Sequence, residues 1–183
     1  MQNVAQGRYD RTTVTLHWLT AALVAVLWLV GQTADNFLDG GVANTTLWST
    51  HVTLGFALAL ALVLRVVWRV GPGVALPAAD RGPLHIVAKT IHYLLYLLLI
   101  TVVGLGVVNA FVRGYSLFNL FHLPQVGDRA WRRPITDWHG LVANALLAVA
   151  LFHALAALVH HYVWRDGLLH RMLPALGRGT LRS

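Results

Sequence analysis

Four apolar runs divide this chain, at roughly 14–33, 50–70, 86–110 and 138–164, each about the ~20 residues that cross the hydrocarbon core of a bilayer. In lipid every backbone N–H and C=O must find an internal partner, so separated runs of this length can span only as helices. The expected fold is all-α: an integral membrane four-helix bundle forming one domain over residues 1–183. The connections hold no room for a soluble domain, and there is no internal repeat or low-complexity segment. Arg8 and Arg11 precede the first run as in a signal peptide. That run continues to about Gly31 with no A-x-A site after it, so it reads as a retained anchor.

Composition supports lipid as the solvent. Apolar residues make up 57% of the chain and charged residues 11%, against about 25% charged in a soluble domain. Glutamate is absent and Lys89 is the only lysine. A formal charge of +7 would suggest nucleic acid in a soluble protein, but here the basic residues gather at the ends of the apolar runs. The expected partner is membrane lipid, not nucleic acid. The chain has no cysteine, which excludes disulfides, iron–sulfur ligation, thiol catalysis and covalent c-type haem.

The arginines give an orientation. Arg8, Arg11, Arg65, Arg69, Arg81, Lys89, Arg165, Arg171, Arg178 and Arg182 all fall on one side, whereas the first opposite loop carries Asp35 and Asp39 and no basic residue. By the positive-inside rule both termini are cytoplasmic. The third connection, about Phe111 to Asp137, breaks the pattern: it lies outside yet carries Arg113, Arg129, Arg132 and Arg133 against Asp128 and Asp137. It is also the longest connection, which predicts structure of its own. The cluster is either a tolerated exception or a site that steers a small anion or holds an anionic cofactor group such as a haem propionate.

Ten histidines are many for so apolar a chain, and an ionisable side chain inside a span is a functional hypothesis by default. His51 opens the second run and His139 the fourth, at similar depth near the outer face; His17 lies just inside the inner end of the first. His153 follows His139 by fourteen residues, ~21 Å along a helix. Fourteen steps return to within ~40° of the starting direction, so both imidazoles share one stripe. Two levels of paired imidazoles suit two b-type haems stacked across the membrane. Gly55 lies one turn from His51, where a missing side chain lets a flat ring approach, and Gly104 and Gly106 sit in the outer half of the third helix. The inner pair stays open at this point: His160 is seven residues beyond His153 and could pair with His17, and His92 lies at the same depth. Arg65 reads first as a side chain snorkelling to the inner interface, and second as a partner for the propionate of an inner haem. Trp68, Tyr115, Trp131, Trp138 and Trp164 read mostly as belt anchors.

The His17-Trp18 pair, His51, the Trp138-His139 pair and the run from Leu151 through His153 to His160-His161-Tyr162-Val163-Trp164-Arg165-Asp166 together resemble the bacterial cytochrome b561 family, which includes superoxide oxidase. The resemblance covers essentially the whole chain, least in its loops. It implies two haem b groups, held by His51 and His139 on the outer side and by His17 and His153 on the inner side. It also implies an inner-membrane location and ubiquinone as electron acceptor, in a cytoplasmic-side pocket where His160 belongs by position and Arg81 would be its basic partner. Gly140 departs from the family, which is expected to place an acidic residue after the Trp-His pair.

The resulting expectation is transmembrane electron transfer between a periplasmic donor and the quinone pool, with superoxide as donor in the sharper version, a superoxide:ubiquinone oxidoreductase. No side chain is assigned a catalytic role, because the haem carries the electron. A noncatalytic cytochrome b subunit relaying electrons for a periplasmic redox protein is the alternative. A haem-free proton or metal transporter using the histidine column is the third.

Overall fold

The computed structural model describes residues 8–36, 40–77 and 82–173. Among these, the spanning elements are α1 (Arg11–Asn36), α2 (Gly41–Val70), α3 (Pro83–Arg113) and α4 (Arg132–Val159), and α4 continues as a π-helical turn over His160–Trp164. All four are long and apolar enough to cross a membrane. The helices overrun the apolar sequence runs. With 26, 30, 31 and 28 residues they reach about 39–47 Å, against ~30 Å of hydrocarbon. The difference is largest at the starts of α2 and α4, where Gly41–Ser49 and Arg132–Asp137 are too polar to read as membrane span yet continue the helix. His51 and His139 consequently lie two to three turns inside their helices and do not open them.

Helices α1 and α2 form one close antiparallel pair and α3 and α4 the other; α2 also touches α3, whereas α1 and α4 barely meet. A buried cluster of Leu27, Leu58, Leu62, Leu99, Val102 and Leu146 draws on all four helices. Leu146 lies midway between His139 and His153 on α4, so this cluster separates two levels of the bundle. Most other large apolar side chains face outward, as lipid-facing residues do, for example Leu60, Leu97 and Leu155.

The two ends are built differently. At one end the α3–α4 connection folds into a hairpin of β1 (Ser116–Leu117) and β2 (Phe121–His122). Gly114 ends α3 in the left-handed conformation, and Asp128 accepts from Ala130 N–H ahead of α4. The hairpin is fastened to α2: Ser49 Oγ donates to Ser116 O and accepts from Asn119 N, and Thr53 Oγ1 accepts from Phe118 N. The connection therefore has the structure its length predicts. At the other end Asp10 caps α1 through Thr13 N and Oγ1 and accepts from Trp68 Nε1 and Val74 N, tying α1 to the α2–α3 turn. Burial would raise the Asp10 pKa, but these hydrogen bonds outweigh it and bring the carboxyl from 3.8 to about 2. Gly73 in that turn is obligatory: a Cβ there would lie 2.7 Å from Trp68 O.

Candidate functional site

At the hairpin end the His51 and His139 rings face each other across the bundle with centres 6.1 Å apart and planes at 77°. At the end carrying the termini, His17 and His153 stand 6.4 Å apart at 74°. Two imidazoles holding one metal ion from opposite sides, each at about 2 Å, place their ring centres ~6 Å apart. His92 is also at the lower level, its ring centre 5.1 Å from that of His153. His160 does not join this group. Its Nδ1 pairs with Asp166 and its ring packs edge-on to Trp164, 4.4 Å away.

The hairpin-end pair is set in an apolar hollow. Val24, Leu27, Gly55, Phe56, Val103, Gly106 and Leu146 line this hollow between the two helix pairs. Its polar mouth is lined by Gln32, Asp35, Trp48, Asn109, Arg113, Tyr115 and Thr136. Each imidazole packs against a helix where a side chain is missing. A Cβ on Gly106 would come within 3.0 Å of His139 Cε1, and one on Gly31 within 3.4 Å of His51 Cε1. Gly55 lines the hollow as its spacing suggests, with nothing within 4 Å of a Cβ there. Gly104 has no neighbour to accommodate either. His139 Nδ1 donates to Val102 O at 3.0 Å, which leaves the lone pair of the neutral ring on Nε2.

The termini-end pair has polar neighbours. Arg65 donates from Nε to the Tyr96 hydroxyl at 3.1 Å and from Nη2 to His17 Nδ1 at 3.0 Å, with its guanidinium 5.3 Å from the Tyr96 ring centre. Snorkelling to the interface is thus corrected: the side chain turns into the bundle, where an arginine costs up to about 2.5–3.5 kcal/mol to insert. His92 Nδ1 donates to Ala88 O.

The four arginines of the α3–α4 connection separate by environment. Arg113 is half-buried and lines the mouth, held by Asn109 Oδ1, Thr136 Oγ1 and Arg132 O. Arg132 turns back to Val112 O, Arg133 is exposed beside Asp137, and Arg129 is exposed. Tyr115, expected in the aromatic belt, instead stacks on Trp48 at 6.1 Å and lines the mouth; burial pushes its hydroxyl pKa up, so it stays a donor. Trp68 likewise bonds Asp10, whereas Trp131, Trp138 and Trp164 are exposed as belt residues are. Arg81 lies outside the described residues. Sequence reading missed Gly31, Tyr96, Asn109 and Thr136, and named Asp166 only as the end of the helix-four motif, without a role. Of the four missed, only Gly31, a lone glycine near the end of an apolar run, gave any signal.

The donor chemistry narrows what fits. Among the described residues no group of three or more His, Cys, Asp or Glu side chains converges as a bare metal ion requires. Two imidazoles suffice only where the metal brings its remaining ligands in a plane, and the apolar walls around His51 and His139 are the surroundings that such a macrocycle requires. A membrane four-helix bundle with facing imidazoles around an apolar hollow is the scaffold of a membrane cytochrome b.

Residues 8–175 match the sequence profile described as prokaryotic cytochrome b561, and the chain belongs to that family. It is a multi-pass electron-transfer protein of the bacterial inner membrane that binds b-type haem. It is 32% identical over 167 residues to cytochrome b562 of Cereibacter sphaeroides, covering 90% of this chain and 94% of that one. Cytochrome b561 homolog 2 of Escherichia coli is 28% identical, over 91% of each chain. The probable superoxide oxidase CybB of Yersinia pestis is 28% identical, over 91% of this chain and 96% of its own.

Proposed function

We propose that the chain holds two haem b groups, one between His51 and His139 and one between His17 and His153, and passes electrons from a periplasmic donor at the hairpin end to ubiquinone at the termini end. The observation that carries this reading is the recurrence of one imidazole spacing, 6.1 and 6.4 Å, at two levels fourteen residues apart on α4. The bound haems supply one-electron transfer; the protein sets their position, access and surroundings. Both termini are then cytoplasmic, in keeping with the distribution of basic residues.

The similarity to a relative named as a probable superoxide oxidase favours superoxide as donor. Two superoxide ions release two electrons and leave as dioxygen; ubiquinone takes those two electrons and two protons to become ubiquinol. Arg113 offers a fixed positive charge at the mouth, and Arg129, Arg132 and Arg133 extend the field that draws an anion toward it. At the opposite end the His160–Asp166 pair suits a quinone pocket, for which Arg81, outside the described residues, is the basic partner that the family resemblance suggests. Its Asp166 carboxylate is kept acidic, against burial, by hydrogen bonds from His160 and Leu168 N–H. With Nδ1–H committed to Asp166, the neutral His160 ring keeps an Nε2 lone pair that can accept from a quinol hydroxyl.

The test is anaerobic reduction of purified protein by pulsed superoxide, followed by addition of ubiquinone. Fast, salt-sensitive haem reduction and ubiquinol formation are expected, and Asp166→Asn should raise the KM for quinone several-fold while leaving haem reduction unchanged. Slow, salt-independent reduction by superoxide would point to a protein donor instead.

A further inference from the structure

Arg65 lies within the span but meets no carboxylate. Among the described residues its partners are the Tyr96 hydroxyl and ring and His17 Nδ1, while Asp137 lies beside Arg133 and Asp166 is bonded by His160. Asp10, at the same end, is engaged by Thr13, Trp68 and Val74. A guanidinium can only donate, so His17 Nδ1 must accept, and the neutral ring then carries its proton on Nε2. Both ring nitrogens are thereby occupied. His17 can grip a metal only after Arg65 releases it, and a cation in lipid needs an anion to receive it.

We infer that Arg65 is the carboxylate-binding residue for the haem at the termini end: on loading, its guanidinium passes from His17 to a haem propionate. The inference rests on the two-haem reading above. Arginine suits the role because its planar fork can bind a carboxylate through two parallel hydrogen bonds. A fixed cation beside the haem also favours its reduced, less positive state, so Arg65 draws electrons toward the termini end.

The test compares full-length wild type, Arg65→Gln and Arg65→Lys by optical redox titration and by haem release to excess apomyoglobin. In Arg65→Gln the component that His17→Ala removes should titrate lower, with about a tenfold change in its reduced-to-oxidised ratio at fixed potential, ~59 mV for one electron. The other component should stay in place, and Arg65→Lys should shift less. Release of the affected haem should be several-fold faster in Arg65→Gln. After reconstitution with haem b dimethyl ester, which has no free carboxylate, the two proteins should release it equally fast. Unchanged potentials, equal shifts in both components, or faster release that persists with the ester would overturn the inference. Wild type purified without haem would instead overturn the two-haem reading.

Discussion

His139 and His17 occupy corresponding places in the two imidazole pairs, but their Nδ1 atoms meet opposite partners. That of His139 donates to the Val102 carbonyl, so its other nitrogen is ready to bind a metal; that of His17 accepts from Arg65, so neither nitrogen is. The surroundings differ in the same sense. Gly31 and Gly106 give the hairpin-end rings room against apolar walls, while Arg65, Tyr96 and His92 surround the termini-end rings with polar groups. On the two-haem reading, the Val102 carbonyl orients His139 for a metal, whereas His17 must first exchange Arg65 for another partner. If electrons pass from the hairpin end to the termini end, as proposed, such asymmetry would supply a difference in potential from ordinary side chains.

The largest expected effect falls on the preorganised end. Gly106→Val sets a branched side chain where even a Cβ lies 3.0 Å from His139. It should remove most of the hairpin-end haem and spare the other, counted by pyridine haemochrome against protein. Gly31→Ala, with 3.4 Å available, should leave occupancy nearly unchanged. If both glycine variants behave alike, steric preorganisation is not what distinguishes this end.

Next comes the scaffold of the termini end. Asp10→Ala removes a helix cap and two further acceptor contacts, and should cost about 2 kcal/mol by thermal unfolding in detergent. Because folding lowers the Asp10 pKa from 3.8 to about 2, its contribution is complete above pH 3.8 and is lost as pH falls toward 2. Asp10→Asn should therefore flatten the acid limb of the stability curve in that window.

A smaller effect separates the arginines. Arg113→Gln should slow reduction by superoxide several-fold and weaken its salt dependence, measured by stopped flow. Arg133→Gln should change the rate less than twofold, since its exposed pair with Asp137 is worth at most about 1 kcal/mol. Equal effects would mean that the field of the whole loop acts, without a distinct role for Arg113 at the mouth.

Much of the fold was legible in the sequence because lipid leaves the chain few choices: four apolar runs dictate four helices, and a fourteen-residue spacing puts two histidines on one stripe. The helix ends were not legible, since Gly41–Ser49 is polar enough to read as loop and its helicity comes from packing on α1 and the hairpin. Arg65 was misjudged for a related reason. Position near a helix end permits snorkelling, and only the placement of Tyr96 on α3 and His17 on α1 turns the side chain inward. Choosing among His153, His160 and His92 as the partner of His17 likewise needs three-dimensional placement: the π-turn swings His160 to Asp166, a contact that α-helical periodicity does not anticipate.

The most direct measurement is an anaerobic redox titration combined with haem-to-protein stoichiometry on wild type, His139→Ala and His17→Ala. Two low-spin haems per chain are expected, titrating at separate potentials, with a different one lost in each variant. A single haem per chain, or two haems that both survive either substitution, would contradict the account.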